Sequence, residues 1–123
     1  MRDSLAVTEM TTVTIRKFES AFTSKVADLK LPNIKAFMSD LSTSENKDRS
    51  ITCGLFRQEA GEPCPYTYEV EEFKILLEGE LSVTNDRGET YDLKPGEILY
   101  FGKGEKVRFS SKSHGLAFYV AQR

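Results

Sequence analysis

The 123-residue sequence is poor in the features by which function is usually read from a chain: two cysteines, one histidine, no tryptophan and no long apolar run. Each scarcity excludes something. Cys53 and Cys64 are too few for a disulfide framework. The stretch MRDSLAVTEMTTVTIRK has neither the apolar core nor the small-residue cleavage pattern of a secretory leader. No segment approaches the ~20 apolar residues of a membrane-spanning helix. The expected compartment is therefore reducing and cytoplasmic. Neither sign of charge dominates, because 17 Lys and Arg stand against 19 Asp and Glu for a formal net charge of −2. Such a balance supplies no broad field for nucleic acid or an anionic membrane, so neither is expected as a partner. A small neutral or weakly charged ligand suits the chain better. Nothing repeats at a fixed period, which excludes a solenoid, and the length fits one compact core.

What the chain does have, from residue 50 onward, is a series of short β-prone runs separated by Gly, Pro, Asn and Asp. SITCGLFRQE reads as one strand, and PYTYEV and FKILLEGELSVT as the next pair. NDRG turns the chain into ETYDLK, and KPGEILYF, KVRFSS and HGLAFYVAQ follow, each bounded by a glycine-bearing turn. This spacing predicts a small antiparallel barrel or double-sheet jelly roll. In the run 73–77, Phe73, Ile75 and Leu77 share one face and Leu76 the other, so both sides of that strand need cover. A homodimer is the expected source of the second cover. Before residue 50 the pattern is weaker. TVTIRKF alternates like an edge strand, ESAFTSKVADLK suits one or two helical turns, and LPNIKAFMSDLSTSENKDRS suits a strand followed by a polar loop. Residues 1–11 carry no packing pattern and are expected to fray or to exchange with a partner.

The chemistry-bearing stretch is PYTYEVEEFKILLEGEL, residues 65–81. Strand alternation would place Tyr66, Tyr68, Glu72 and Lys74 on one inward face if no bulge intervenes. Two phenols, a carboxyl and an amine would then share a pocket. A desolvated carboxyl can serve as general acid or base, and phenols can hydrogen-bond a developing enolate or alkoxide. Blander readings stand beside these: a core role for the tyrosines, a rim position for Lys74 and a surface turn for His114, the only imidazole. Glu72 differs, because a buried unpaired carboxylate costs several kcal/mol and needs a partner or a function. Cys64, between prolines in EPCPY, reads as an ordinary thiol. Lys103, Lys106 and Arg108 read as solvated surface. GKGE reads as a β-turn and not a phosphate loop, since no helix follows it.

These residues resemble the two motifs of the cupin family. The family's first motif is Gly, His-x-His, three residues, Glu, six residues, Gly. Its spacing is kept here, with Tyr66-x-Tyr68 at the histidine positions, then Glu72 and Gly79. The second, Gly, five residues, Pro-x-Gly, two residues, His, three residues, Asn, maps onto Gly96, Gly102-x-Gly104, Val107 and Ser111, with valine in place of the histidine. The resemblance implies an all-β chain with a single-domain cupin, an RmlC-like jelly-roll β-barrel, over residues 36–123. Residues 1–35 would form an arm with an edge strand and a short helix. Within the cupins, DLSTSE, CGLFRQE, PYT, and EGELSV through PGEILYF to FYVA look like the C-terminal domain of ethanolamine utilization protein Q. That subfamily also lacks the histidine set, which implies independence from the usual metal, a minor catalytic role, and ethanolamine metabolism or a microcompartment as context. The long N-terminal region of that protein has no counterpart in these 123 residues, so one short domain is expected.

A cupin metal normally sits on three imidazoles and a carboxylate, and of those positions only Glu72 offers a good ligand here. No metal and no other cofactor is expected. The alternative is an unusual site built from Glu72, a tyrosinate and His114 or a cysteine. The functional expectation is a metal-independent cupin that binds a small metabolite and performs acid–base chemistry on it: isomerisation, cyclisation, dehydration or hydrolysis. Its candidate residues are Glu72, Tyr66, Tyr68, Lys74 and His114. The competing expectations are a non-catalytic binding or assembly protein and a weak acetate kinase of the ethanolamine utilization protein Q type.

Overall fold

The structure, a computed structural model, describes residues 14–123. Nine strands follow a single 3-10 turn at Ala21–Thr23: β1 (Ala36–Thr43), β2 (Thr52–Glu59), β3 (Cys64–Thr67), β4 (Glu72–Gly79), β5 (Leu81–Asn85), β6 (Thr90–Leu93), β7 (Ile98–Phe101), β8 (Lys106–Ser110) and β9 (His114–Ala121). They form a five-stranded sheet in the order β1-β2-β9-β4-β7 and a four-stranded sheet in the order β3-β8-β5-β6. Every pairing is antiparallel.

Period-two alternation decides which side chains fill the space between the sheets. On β4, Glu72, Lys74 and Leu76 are buried, while Phe73, Ile75 and Leu77 alternate with them toward the outside. Leu81 and Val83 of β5 and Val107 and Phe109 of β8 meet them from the second sheet. The filling is aromatic: Phe56 lies 5.0 Å from Phe109, and Phe109 lies 5.8 Å from Phe101, ring centre to ring centre. Such tilted arrangements suit the ring quadrupoles better than face-to-face contact does. Tyr119 is fully buried, and its hydroxyl donates to Asp40 at 2.6 Å. Arg123 grips the same carboxylate with both terminal nitrogens at 3.0 Å, which ties the end of β9 to β1.

Two sequence-based pairings need correction. PYTYEV and FKILL do not pair with each other. β3 pairs with β8, and β4 pairs with β9 and β7, because the chain bends at Glu69 and Val70 and crosses between the sheets. FKILLEGELSVT is likewise two strands in different sheets. Gly79 makes the break at φ +79°, and a Cβ there would overlap the His114 carbonyl oxygen, so the motif glycine is required by both conformation and contact.

The expected edge strand at TVTIRKF is also corrected. Thr12 and Val13 lie outside the described residues, and 14–18 form no strand, with Ile15 almost wholly exposed. The free edge of β1 is already taken. Leu29 donates to the Ala36 carbonyl at 3.0 Å, Met38 donates to that of Ala27 at 2.9 Å, and Asp28 bridges Phe37 between them. The helical turns expected in ESAFTSKVADLK reduce to the three-residue 3-10 turn. The expected fraying of residues 1–11 also falls outside the described residues. Among the described residues no helix is long and apolar enough to cross a membrane.

Candidate functional site

Glu72 opens β4, and Lys74 follows it on the same inward face. Tyr68 enters from the other sheet, just past the end of β3. Its backbone is clamped to the β7–β8 turn: the Tyr68 N–H donates to the Glu105 carbonyl at 2.8 Å, and the Gly104 N–H donates to the Tyr68 carbonyl at 2.7 Å. The GKGE turn therefore positions a site residue. Stacking of the Tyr68 ring on Phe101, 4.5 Å apart and 13° from parallel, fixes its direction. The Tyr68 hydroxyl donates to Glu72 Oε2 at 2.7 Å. Lys74 Nζ donates to the same oxygen at 2.5 Å and to the Tyr68 hydroxyl oxygen at 3.3 Å. All three residues are nearly sealed, with Tyr68 2%, Lys74 3% and Glu72 4% exposed.

Burial sets the proton affinities of this cluster. Desolvation pushes the Lys74 amine below the ordinary lysine range, with the neighbouring Glu72 pulling the other way. Desolvation and then the charge of Glu72 drive the Tyr68 phenol far above its usual value, so Tyr68 acts as a hydrogen-bond donor and not as a base. The ammonium lies 5.1–5.8 Å from the ring centres of Phe56, Tyr68, Phe101, Phe109 and Tyr119. An aromatic cage of that kind offsets part of the lost hydration by cation–π attraction.

The cluster lines a cavity of ≈ 330 Å³, at the low end of the range for small-molecule sites. Its walls are largely apolar, with Phe56, Phe109, Met38 and Cys64 among them, and Leu29, Leu31 and Tyr66 also contribute. Sequence reasoning missed Leu29 and Leu31. The only local signal for them was the Leu-Pro-Asn turn that folds residues 27–29 back on β1. The Cys64 thiol is buried, and desolvation raises its pKa, in keeping with an inert thiol.

The structure thus brings together Tyr68, Glu72 and Lys74. Tyr66 is 40% exposed, its ring edge-on to Tyr68 at 4.7 Å. It belongs to the cavity wall, not to the hydrogen-bonded cluster. His114 is not brought in: it starts β9 with Nε2 3.9 Å from Glu78 Oε1 and does not line this cavity. The single-strand alternation that grouped Tyr66, Tyr68 and Glu72 is also corrected. The chain bends between Tyr68 and Glu72, and the residues meet because β3 and β4 lie in opposed sheets.

A cupin-type metal does not fit these residues. Among the described residues no three His, Cys, Asp or Glu side chains converge. At the motif positions stand Tyr66, Tyr68, Glu72 and Val107, and Val107, paired with Tyr66 in the β3–β8 ladder, cannot ligate. The carboxyl oxygen nearest the cluster is already held by the Lys74 amine, and the Tyr68 phenol strongly resists forming a phenolate.

Residues 45–116, more than half of the chain, match the EutQ-like cupin domain. The chain belongs to this family. It is 32% identical over 84 residues to the acetate kinase EutQ of Escherichia coli, an alignment covering 68% of this chain and 35% of that protein. The chain thus spans about a third of the length of the curated relatives it matches. The structure of the Clostridium difficile EutQ protein superposes with a TM-score of 0.72 at 25% identity, over 84% of this chain and 77% of that one. The polyketide cyclase RemF of Streptomyces resistomycificus superposes at 0.70 with 21% identity, over 87% and 79% of the two chains, and so shares the fold. The expected cupin fold and EutQ-like kinship both stand, and the jelly roll described above is that of a EutQ-like cupin.

Proposed function

We propose that this EutQ-like cupin binds a small, largely apolar metabolite in the barrel cavity and moves a proton on it without a metal. The observation that carries this reading is the Tyr68–Glu72–Lys74 cluster, three polar groups sealed together on the wall of an otherwise apolar pocket. Ligand sites have this composition: apolar walls that supply affinity and a few convergent polar groups that orient the ligand. Glu72 is the proton acceptor or donor. Tyr68 and Lys74 are two hydrogen-bond donors for a ligand oxygen where negative charge develops. Isomerisation, cyclisation and dehydration next to a carbonyl all need this pair of functions, a base for a C–H proton and donors for the enolate oxygen.

A thermal-shift screen of small carbonyl and hydroxy compounds finds a ligand, and turnover of that ligand then tests the roles. Glu72→Gln keeps size and most hydrogen bonding, so turnover should fall by roughly 100-fold or more while circular dichroism stays native. A Glu72→Gln variant as active as the parent removes Glu72 from the mechanism. The kinship with EutQ favours a second reading, a binding or assembly protein or a weak acetate kinase. The glycine turn at 102–104 leads into a strand and offers no helix N-terminus to a phosphate. Acetyl phosphate formation from ATP and acetate, abolished by substitutions in the cavity, would establish the kinase.

A further inference from the structure

We infer that Lys74 is a nucleophile toward small carbonyl compounds, and that the cavity takes an aldehyde or ketone as a protonated imine on its Nζ. The inference rests on the reading of the cavity as a metabolite site and names its substrate class. Lys74 lines the cavity, with the side chain held in place by Glu72 and Tyr68 and not free to swing into solvent. A lysine used only as a structural counter-ion has no need of a cavity against it.

The proton inventory closes without any added reagent. Glu72 takes one proton from the ammonium across their hydrogen bond, which leaves a neutral amine beside a neutral acid. The amine lone pair forms the C–N bond as the carbonyl π pair moves to oxygen. That oxygen takes up a proton from the new ammonium centre through the Tyr68 hydroxyl, 3.3 Å from Nζ, and the carbinolamine results. Glu72 then returns its proton to the carbinolamine hydroxyl, the C–O bond breaks, and water leaves. Ammonium, carboxylate and carbonyl have become iminium, carboxylate and water.

Charge is conserved at every stage where it matters. The iminium occupies the same aromatic cage and faces the same carboxylate as the ammonium did, so the site is built for the product cation as well as the reactant one. Burial makes the free amine accessible by lowering its proton affinity, a standard route to a reactive lysine. An iminium also acidifies the adjacent C–H, and Glu72 stands beside it as the base that the proposed acid–base chemistry requires.

Butanal and butan-2-one serve as probes, each incubated with the full chain and sodium cyanoborohydride at pH 7, followed by peptide mapping. An exposed lysine with a pKa near 10.4 has on the order of 0.04% free amine at that pH, so it reacts slowly. Lys74 should be alkylated at least about ten-fold faster than any exposed lysine, and Lys74→Arg should lose that fast site alone. The mapping is done on the unaltered protein, so a variant that fails to fold does not obscure the answer. Probe binding is followed separately by thermal shift without reductant. Binding without preferential Lys74 alkylation overturns the imine and leaves the metabolite site standing, whereas neither binding nor alkylation overturns both.

Discussion

Replacing Glu72 by glutamine strands the Lys74 amine in the barrel without its anion, and the cost follows from the burial of the pair. Both side chains are about 95% removed from solvent, with 4% and 5% relative exposure for Lys74 and Glu72. Removing one partner of such a pair typically costs about 3–5 kcal/mol. A second route gives the same scale. If the stranded lysine folds neutral at pH 7, it surrenders a proton that the unfolded chain holds with a pKa near 10.4. The penalty is then about 1.4 kcal/mol for each of roughly 3.4 units, or about 4.6 kcal/mol. For a domain with a total stability of about 5–15 kcal/mol this is a large fraction.

The pH dependence separates this account from simple loss of packing. If Lys74 folds neutral in Glu72→Gln, the unfolded chain binds one proton more than the folded chain. Stability must then rise with pH, by about 1.4 kcal/mol per unit, until the unfolded lysine itself titrates near 10.4. Urea titrations at pH 7, 8 and 9 measure it. With a slope of about 1.5 kcal/mol/M, the midpoint at pH 7 should fall by about 2–3 M and recover by about 2 M at pH 9. Glu72→Gln combined with Lys74→Met removes both charges and should regain most of the loss. A loss below about 1 kcal/mol at pH 7, or one that does not change with pH, refutes the reasoning.

The donor set at the motif positions predicts that the purified chain holds no stoichiometric Mn, Fe, Ni or Zn after dialysis. One equivalent of any of these by elemental analysis, lost in Glu72→Ala, contradicts that. Phe73, Ile98 and Tyr100 are more than half exposed on neighbouring strands at the edge of the large sheet, with the Phe73 and Tyr100 rings 5.1 Å apart. We propose that this face joins two copies of the chain. Light scattering at micromolar concentration should give twice 13.9 kDa, and Phe73→Asp with Tyr100→Asp should give the monomer; a monomeric parent contradicts the proposal. The Arg123 hydrogen bond holds Asp40 below the ordinary carboxylate range. Its stabilisation is complete above the unfolded value near 3.9 and is lost as pH falls through the lower folded value. Melting curves across that acid limb should therefore be flatter for Asp40→Asn than for the parent.

The inward march of Glu72, Lys74 and Leu76 is written in the chain as a period of two, and NDRG and GKGE announce their turns through glycine. These are local properties, and the structure keeps them. What the sequence does not display is which local pieces face one another. Tyr68 reaches Glu72 across the gap between sheets, the chain having bent at Glu69 and Val70 to let it. The cage around Lys74 draws rings from β2, β7, β8 and β9 as well as Tyr68. No spacing rule within one strand encodes such convergence. The false edge strand at TVTIRKF shows the converse failure. Its alternation is real, but residues 14–18 join no sheet, and the edge of β1 is occupied by residues 27–29 instead.

The cluster also explains how a cupin barrel can hold a buried carboxyl with no imidazoles beside it. Glu72 in an apolar cavity needs a cation, and Lys74, two residues along the same strand, is directed to the same face by strand geometry alone. The exchange changes what the site can do. A metal ion offers open coordination positions and can make a water molecule acidic, whereas an ammonium offers only hydrogen-bond donors and, once deprotonated, a lone pair. The chemistry within reach is therefore polarisation of an oxygen, proton transfer through Glu72, and covalent capture of a carbonyl carbon. Lys74→Arg discriminates among them, because a guanidinium keeps the charge and the donors but provides no usable lone pair. Retained ligand binding with lost turnover in that variant points to the amine as reactant, and retained turnover points to the cation as electrostatic support.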